Sequence, residues 1–208
     1  MWRVVEEMKR KIGIMGGTFN PIHNAHLLMA ERAYEEYELD QVIFLPSRKP
    51  AYKDERELAS EDSRKQMIEY AIADKEYFSI STMEYEREGN TYTVDTMEAL
   101  HRNSKDTEFY FLIGADSMLY LEDWNRAERL FELTRFLVAF RGENKREQLE
   151  PVAEHLRNTY HAKIDFLHMP IMEISSTDIR ARRKQGKSVA YLLPKAVEDY
   201  ITVQGLYL

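Results

Sequence analysis

The sequence predicts a single doubly wound α/β domain, a parallel sheet with helices on both faces. Two observations carry that expectation. Short apolar runs alternate with amphipathic helical patterns, and such alternation implies parallel strands joined by crossover helices. Two of those runs end in glycine followed by polar residues, Gly16-Gly17-Thr18 and Gly114-Ala115-Asp116, and ligands of open α/β sheets bind just past the carboxyl ends of the strands. At 208 residues and 44% hydrophobic content, the chain can bury one good core. Residues 11–208 are read as that domain and residues 1–10 as an N-terminal extension.

The elements follow in order. Ile12, Ile14 and Met15 begin a buried strand that Gly16-Gly17 ends. Glycines there permit φ > 0 and remove side-chain bulk. Pro21 delays helix until the turn is complete, Asn24 is the expected N-cap, and an apolar stripe from Leu27 to Tyr37 gives a helix to about Glu38. Gln41–Leu45 is a second strand, closed by Pro46, and a polar loop follows to Ala59. Ser60 opens a helix, with Ser63 a second capping candidate, and Phe78–Ile80 is a strand. After a charged loop, E-Y-E-R-E-G, the run Thr91–Thr96 leads into a helix. Phe109–Ile113 is the most apolar strand and is expected to be central; Trp124 follows in a short loop. Arg135–Phe140 is a strand ending at Arg141, Arg146–Asn158 a helix and Lys163–Leu167 the last strand. Ser175 and Asp178 have capping-box spacing at the start of the next helix, and Val197–Val203 closes the domain.

Composition narrows the function. There is no cysteine, which excludes disulfides, thiol catalysis and thiolate metal sites. No apolar run approaches the roughly 18 residues of a membrane span, and M-W-R-V-V-E-E-M-K-R lacks an apolar signal core, so a cytoplasmic protein is expected. A net charge of −7 disfavours nucleic acid as a partner. An anionic small substrate remains compatible, because cations gather locally at Arg48, Lys49 and Lys53 and again from Arg180 to Lys187.

The stretch K-I-G-I-M-G-G-T-F-N-P-I-H-N-A-H, Lys11–His26, combines a strand, a glycine turn and a helix N-terminus whose N–H groups favour an anion. His23 and His26, at i and i+3, can face one point, and paired imidazoles there suit charge that develops during a reaction. Ser175-Ser176-Thr177 ahead of Arg180 offers a second phosphate cradle. The pattern is neither G-x-G-x-x-G nor a P-loop.

Gly16-Gly17-Thr18-Phe19-Asn20-Pro21-Ile22-His23-Asn24-Ala25-His26 resembles the G-G-T-F-D-P-x-H-x-G-H signature of the nucleotidyltransferase superfamily, and I-S-S-T-D-I-R at 174–180 resembles its S-S-T-x-I-R signature. Together, in this order, they are similar to those of the bacterial nicotinate-mononucleotide adenylyltransferases. Asn20, Ala25 and Tyr52 stand where that family usually has Asp, Gly and His. The resemblance implies a Rossmann-like fold and transfer of the adenylyl group of ATP to nicotinate mononucleotide. It assigns His23, His26 and Arg180 to catalysis. It assigns Gly16, Gly17, Thr18, Phe19, Lys53, Tyr92, Thr93, Gly114, Asp116, Trp124, Arg141, Ser175, Ser176 and Thr177 to substrate binding. Within that set, T-Y-T-V-D-T is placed around the nicotinate ring, Trp124 stacked on it, Asp116 at ribose hydroxyls and Lys53 at phosphate. Mg²⁺ is implied only as carried with ATP, and no metal-binding residue is assigned. Other acceptors (nicotinamide mononucleotide, phosphopantetheine), a cytidylyl donor and a non-catalytic nucleotide-binding regulator stay open, and a homo-oligomer is compatible with the sequence but not specified by it.

Overall fold

The computed structural model describes residues 9–48, 58–87, 89–104, 106–141, 143–170 and 172–208, the side chains of 141 and 143–145 excepted. Within these, six strands form one all-parallel sheet: β1 Arg10–Gly17, β2 Gln41–Pro46, β3 Phe78–Ile80, β4 Thr107–Gly114, β5 Arg135–Arg141 and β6 Lys163–Met169. Their spatial order is β3-β2-β1-β4-β5-β6, the doubly wound order in which the chain reverses its direction of travel between β1 and β4.

Two apolar layers cover the sheet. On one face Met15, Phe44, Leu112 and Leu137 pack with α1 Asn24–Glu36, α2 Glu61–Ile72, α7 Ser176–Lys184 and α8 Lys195–Val203. On the other, Ile14, Phe111, Phe136 and Val138 pack with α3 Thr93–Asn103, α4 Ala115–Met118, α5 Ala127–Leu133 and α6 Glu143–Tyr160. Burial on both faces explains why the strands read as unbroken apolar runs rather than alternating ones. β4 lies between β1 and β5, central as expected.

The helices differ from the sequence reading mainly at their ends. α1 stops at Glu36, two residues short of Glu38, and α6 runs longer than Arg146–Asn158. Ser60 caps α2 as expected, its side chain accepting from Ser63 N. The cap of α1 is His23, not Asn24. Asn24 instead opens the helix and ties it to the segment before α8, its Nδ2 donating to the Tyr191 carbonyl (2.6 Å) and its N–H to that of Leu192 (3.0 Å).

Candidate active site

The site is set by where strand pairing stops. β1 stays registered with β2 through Gly17↔Pro46, whereas its pairing with β4 ends at Met15↔Leu112. Beyond that point the carboxyl ends of β1 and β4 part, and a cavity of about 750 Å³ opens between them.

The glycine pair is there for bulk alone. A Cβ on Gly16 would stand 3.0 Å from Phe111 Cζ, and one on Gly17 would stand 3.1 Å from Phe19 Cζ. Neither glycine has positive φ. That conformation falls to Phe19, at φ 48°, so of the two uses expected of these glycines the reduced bulk is observed and the left-handed backbone is not. Gly114 is different: nothing lies within 4 Å of a Cβ placed on it, so its lack of a side chain keeps open cavity rather than close packing.

The two histidines form a compact unit. His23 caps α1 and is 5% exposed. His26 Nδ1 accepts from the backbone N–H of His23 (3.2 Å), and the two rings stack with centroids 3.7 Å apart and planes 17° apart. With Nδ1 accepting, a neutral His26 carries its proton on Nε2, so the ring is a donor without being a cation. Phe19 meets the ring of His26 edge-on at 5.1 Å. At 2% exposed, Phe19 supports the histidine from behind and is not part of the cavity wall.

The second signature arrives on α7. The Ser175 side chain accepts from Asp178 N (3.1 Å), one half of the expected capping box. Ser176 Oγ donates to the Pro21 carbonyl (2.9 Å), which fastens the second signature directly to the first across 155 positions of sequence. Ser175, Ser176 and Thr177 line the cavity with His23 and His26. The N-termini of α1 and α7 therefore meet at one place, each with backbone N–H groups that lack intrahelical partners and with the positive end of a helix dipole.

The opposite wall carries Gly114, Asp116, Thr93 and Trp124. Trp124 is half-buried and stands edge-on to Phe111, centroids 6.2 Å apart. Arg126, two residues on, has a left-handed backbone (φ 50°) and pairs with Asp95 and Glu98 of α3. Since α3 begins at the cavity-lining Thr93, these ion pairs fix the Trp124 loop relative to the end of α3.

Several expected residues stand elsewhere. Thr18 and Tyr92 are absent from the cavity wall, and Tyr92 is 41% exposed at the cap of α3. Arg180 is not on the cavity wall itself: Nη1 donates to the Asn20 carbonyl (2.9 Å) and Nη2 to Oγ1 of the cavity-lining Thr177 (3.4 Å), and the residue lines a separate cavity of about 350 Å³ with Tyr207 and Leu208. The guanidinium reaches the back of the turn because Asn20, 3% exposed, is drawn inward, its Oδ1 accepting from Ala59 N (3.0 Å) and Tyr207 Oη (2.7 Å). Lys53 and Tyr52, and the side chain of Arg141, lie outside the described residues.

Glu84 is a cavity residue that the sequence alone does not single out. It lines the cavity, is 6% exposed and accepts from Thr96 Oγ1 (2.8 Å). Burial pushes its carboxyl above the ordinary carboxylate range, while the hydroxyls of Thr96 and Thr91 and the charge of Arg87 pull the other way. Nothing local in E-Y-E-R-E-G marks Glu84 off from its acidic neighbours. Arg64 is equally inconspicuous in sequence, since S-R-K-Q-M-I looks like part of a solvated helix face, yet Arg64 is fully buried.

Comparison with known proteins places the chain in a family. Residues 14–182 match the model of the cytidylyltransferase-like family. A protein of Lachnoclostridium phytofermentans named "Probable nicotinate-nucleotide adenylyltransferase" is 51% identical over 96% of this chain and 100% of its own. The chain belongs to the nicotinate-nucleotide adenylyltransferase family. A member from Streptococcus pyogenes serotype M3 is 43% identical over 97% of this chain and 90% of its own. The fold matches that of the Plasmodium falciparum nicotinic acid mononucleotide adenylyltransferase complexed with NaAD, with a TM-score of 0.81 over 95% of this chain and 97% of that one at 20% identity. Among the described residues no helix is long and apolar enough to cross a membrane.

Proposed function

We propose that this cavity transfers the adenylyl group of ATP to nicotinate mononucleotide, giving deamido-NAD and pyrophosphate. The observation that carries the reading is the junction of the two signatures, where Ser176 binds the Pro21 carbonyl and brings the N-termini of α1 and α7 beside the stacked histidines.

The chemistry asks little of the protein in covalent terms. The attacking oxygen belongs to the phosphate of the mononucleotide and is already ionised at neutral pH, so no strong base is needed. That oxygen attacks the α-phosphorus of ATP as the bond to the β-phosphate oxygen breaks, and the electron pair leaves with pyrophosphate. Catalysis is then in-line positioning plus stabilisation of negative charge on the oxygens around the α-phosphorus and on the leaving group. His26, with Nδ1 engaged, supplies an Nε2–H donor. The α7 amides and the Ser175 and Thr177 hydroxyls receive phosphate oxygens, while the Ser176 hydroxyl donates to the Pro21 carbonyl. Arg180 acts through the turn it braces at Asn20.

Trp124 and Thr93 flank the opposite wall, where a flat pyridine ring fits against the indole. Asp116 is exposed on the first turn of α4 and lines the cavity, and in this reading its carboxylate accepts ribose hydroxyls. The carboxylates on the cavity wall are Glu84, Asp116 and Glu173, and no group of three metal-binding side chains occurs among the described residues. That donor set fits Mg²⁺ entering as part of the substrate, held by ATP phosphates and water.

Pyrophosphate release measured with ATP and each candidate acceptor tests the proposal. Release is expected with nicotinate mononucleotide and to fall sharply with nicotinamide mononucleotide or phosphopantetheine. Release supported by CTP, or by a non-pyridine acceptor at an equal rate, would contradict it.

A further inference from the structure

Arg64 stands where the helical pattern calls for an apolar residue. It opens the inward stripe of α2 that continues with Met67, Ile68, Ala71 and Ile72, and its relative exposure is 0%. An arginine cannot shed its charge, and a buried charge is expensive unless it is paired. Among the described residues every hydrogen-bond acceptor of this guanidinium is a neutral carbonyl. Nε donates to Ala59 O (3.2 Å), Nη1 to Thr18 O (3.0 Å) and Ser47 O (2.6 Å), and Nη2 to Arg48 O (3.2 Å). The Tyr85 ring lies 5.3 Å from its Cζ. Among the described residues it has no ion pair.

The placement of those carbonyls is informative. They belong to the turn after β1, the turn after β2 and the entry to α2, so one planar fork holds together three segments just beyond the last β1–β2 pair, Gly17↔Pro46. Two of them border the cavity: Ser47 lines it, and Thr18 follows the lining residue Gly17. Satisfied hydrogen bonds account for the geometry of the guanidinium, and among the described residues its charge has no counter-ion. The cavity just beyond the two turns is the place from which a counter-ion can come.

We propose that Arg64 is a positioning residue with a second, electrostatic role: its buried charge is neutralised by the polyphosphate of the bound nucleotide, so that filling the cavity completes an ion pair left open by the fold. The inference rests on reading the cavity as a triphosphate site. It places a cation behind the phosphate-binding turns in addition to the donors that face the cavity. Charges interact strongly across low-dielectric protein, and the effect outlasts added salt because bulk ions cannot reach the guanidinium.

The test separates charge from geometry with two variants that both lose the fork. Arg64→Lys keeps the charge, and Arg64→Gln keeps an N–H donor without it. Binding of inorganic tripolyphosphate is measured by calorimetry on the full chain, wild type beside both variants, at low and moderate salt. Arg64→Lys is expected to bind within about threefold of wild type, and Arg64→Gln roughly tenfold or more weaker at both salt concentrations. Both should lose kcat, because either loosens the turns. Equal tripolyphosphate affinity in the two variants overturns the proposal. Failure of wild type to bind tripolyphosphate or ATP at all overturns instead the triphosphate reading beneath it. Should Arg64→Gln not fold, Arg64→Lys decides alone. Retained affinity with kcat down at least tenfold supports the proposal, and affinity falling in step with kcat overturns it.

Discussion

The two walls of the cavity are built by different means. On the histidine side the turn 18–21 is held from several directions at once: Arg64 on the Thr18 carbonyl, Arg180 on that of Asn20, Ser176 on that of Pro21, and Ala59 and Tyr207 on the Asn20 side chain. Phe19, Asn20 and His23 are each at most 5% exposed. On the tryptophan side the loop bearing Trp124 is held by ion pairs among Arg126, Asp95, Glu98 and Arg129, whose side chains are between 25% and 49% exposed. Buried hydrogen bonds to backbone are costly to break, whereas exposed ion pairs contribute about 1 kcal/mol or less and weaken with salt. The difference suits a division of labour. Stabilising a charged transition state needs donors that do not move, while admitting and releasing a flat ring needs a wall that can.

The histidine side should be the more fragile in rate. His26→Ala removes one donor from a preorganised site and is expected to lower kcat roughly 100- to 1,000-fold. Steady-state pyrophosphate release reads it, and turnover within about threefold of wild type would take His26 out of the mechanism.

Gly16→Ala touches both walls, because the new Cβ meets Phe111, whose ring also supports Trp124. Overpacking of this kind costs about 1–3 kcal/mol. The expected outcome is a melting temperature lower by several degrees together with a higher KM for the pyridine nucleotide.

Trp124→Ala should weaken nicotinate mononucleotide roughly 2- to 12-fold, the worth of an aromatic stack, and leave ATP unaffected. Equal losses for both substrates would make the indole a packing element only. Arg126→Ala, smaller again, should raise the KM for the pyridine nucleotide by about threefold or less, with the gap from wild type closing as salt is added.

Glu84 supplies a pH signature. Its folded-state carboxyl lies above the ordinary 4.5 through burial. The folded protein therefore holds that proton more tightly than the unfolded chain does. The resulting stabilisation is complete below the ordinary value and is lost as pH rises through the raised one. Glu84→Gln, which cannot ionise, should match wild type in acid and gain on it in melting temperature toward neutral pH. A gap that does not change with pH would mean the carboxyl is not perturbed.

Much of this was legible in the sequence, for reasons that differ by residue. The strands could be read because sheets covered on both faces leave unbroken apolar runs, as in F-Y-F-L-I. His23, His26 and Ser175–Thr177 could be read because helix starts have local chemistry and lie in short motifs. Arg64, Glu84 and the inward turn of Arg180 could not. What makes them matter is contact made only by the fold, such as Arg64 with Thr18 at a separation of 46 positions and Arg180 with Asn20 at 160. A charged residue buried by the fold looks, in sequence, like any other on a solvated face. His23 as the cap of α1 was hidden similarly, because Asn24 is the better capping residue by type and was taken up by Tyr191 and Leu192.

The division of labour is tested most directly by combining its two poles. In His26→Ala/Trp124→Ala the fall in kcat/KM for nicotinate mononucleotide should equal the sum of the two single effects in free energy to within about 0.5 kcal/mol, because independent sites add. The kcat term should come from His26 and the KM term from Trp124. A coupling well above about 1 kcal/mol, or a kcat loss in Trp124→Ala matching that of His26→Ala, would contradict the separation of chemistry from ring recognition.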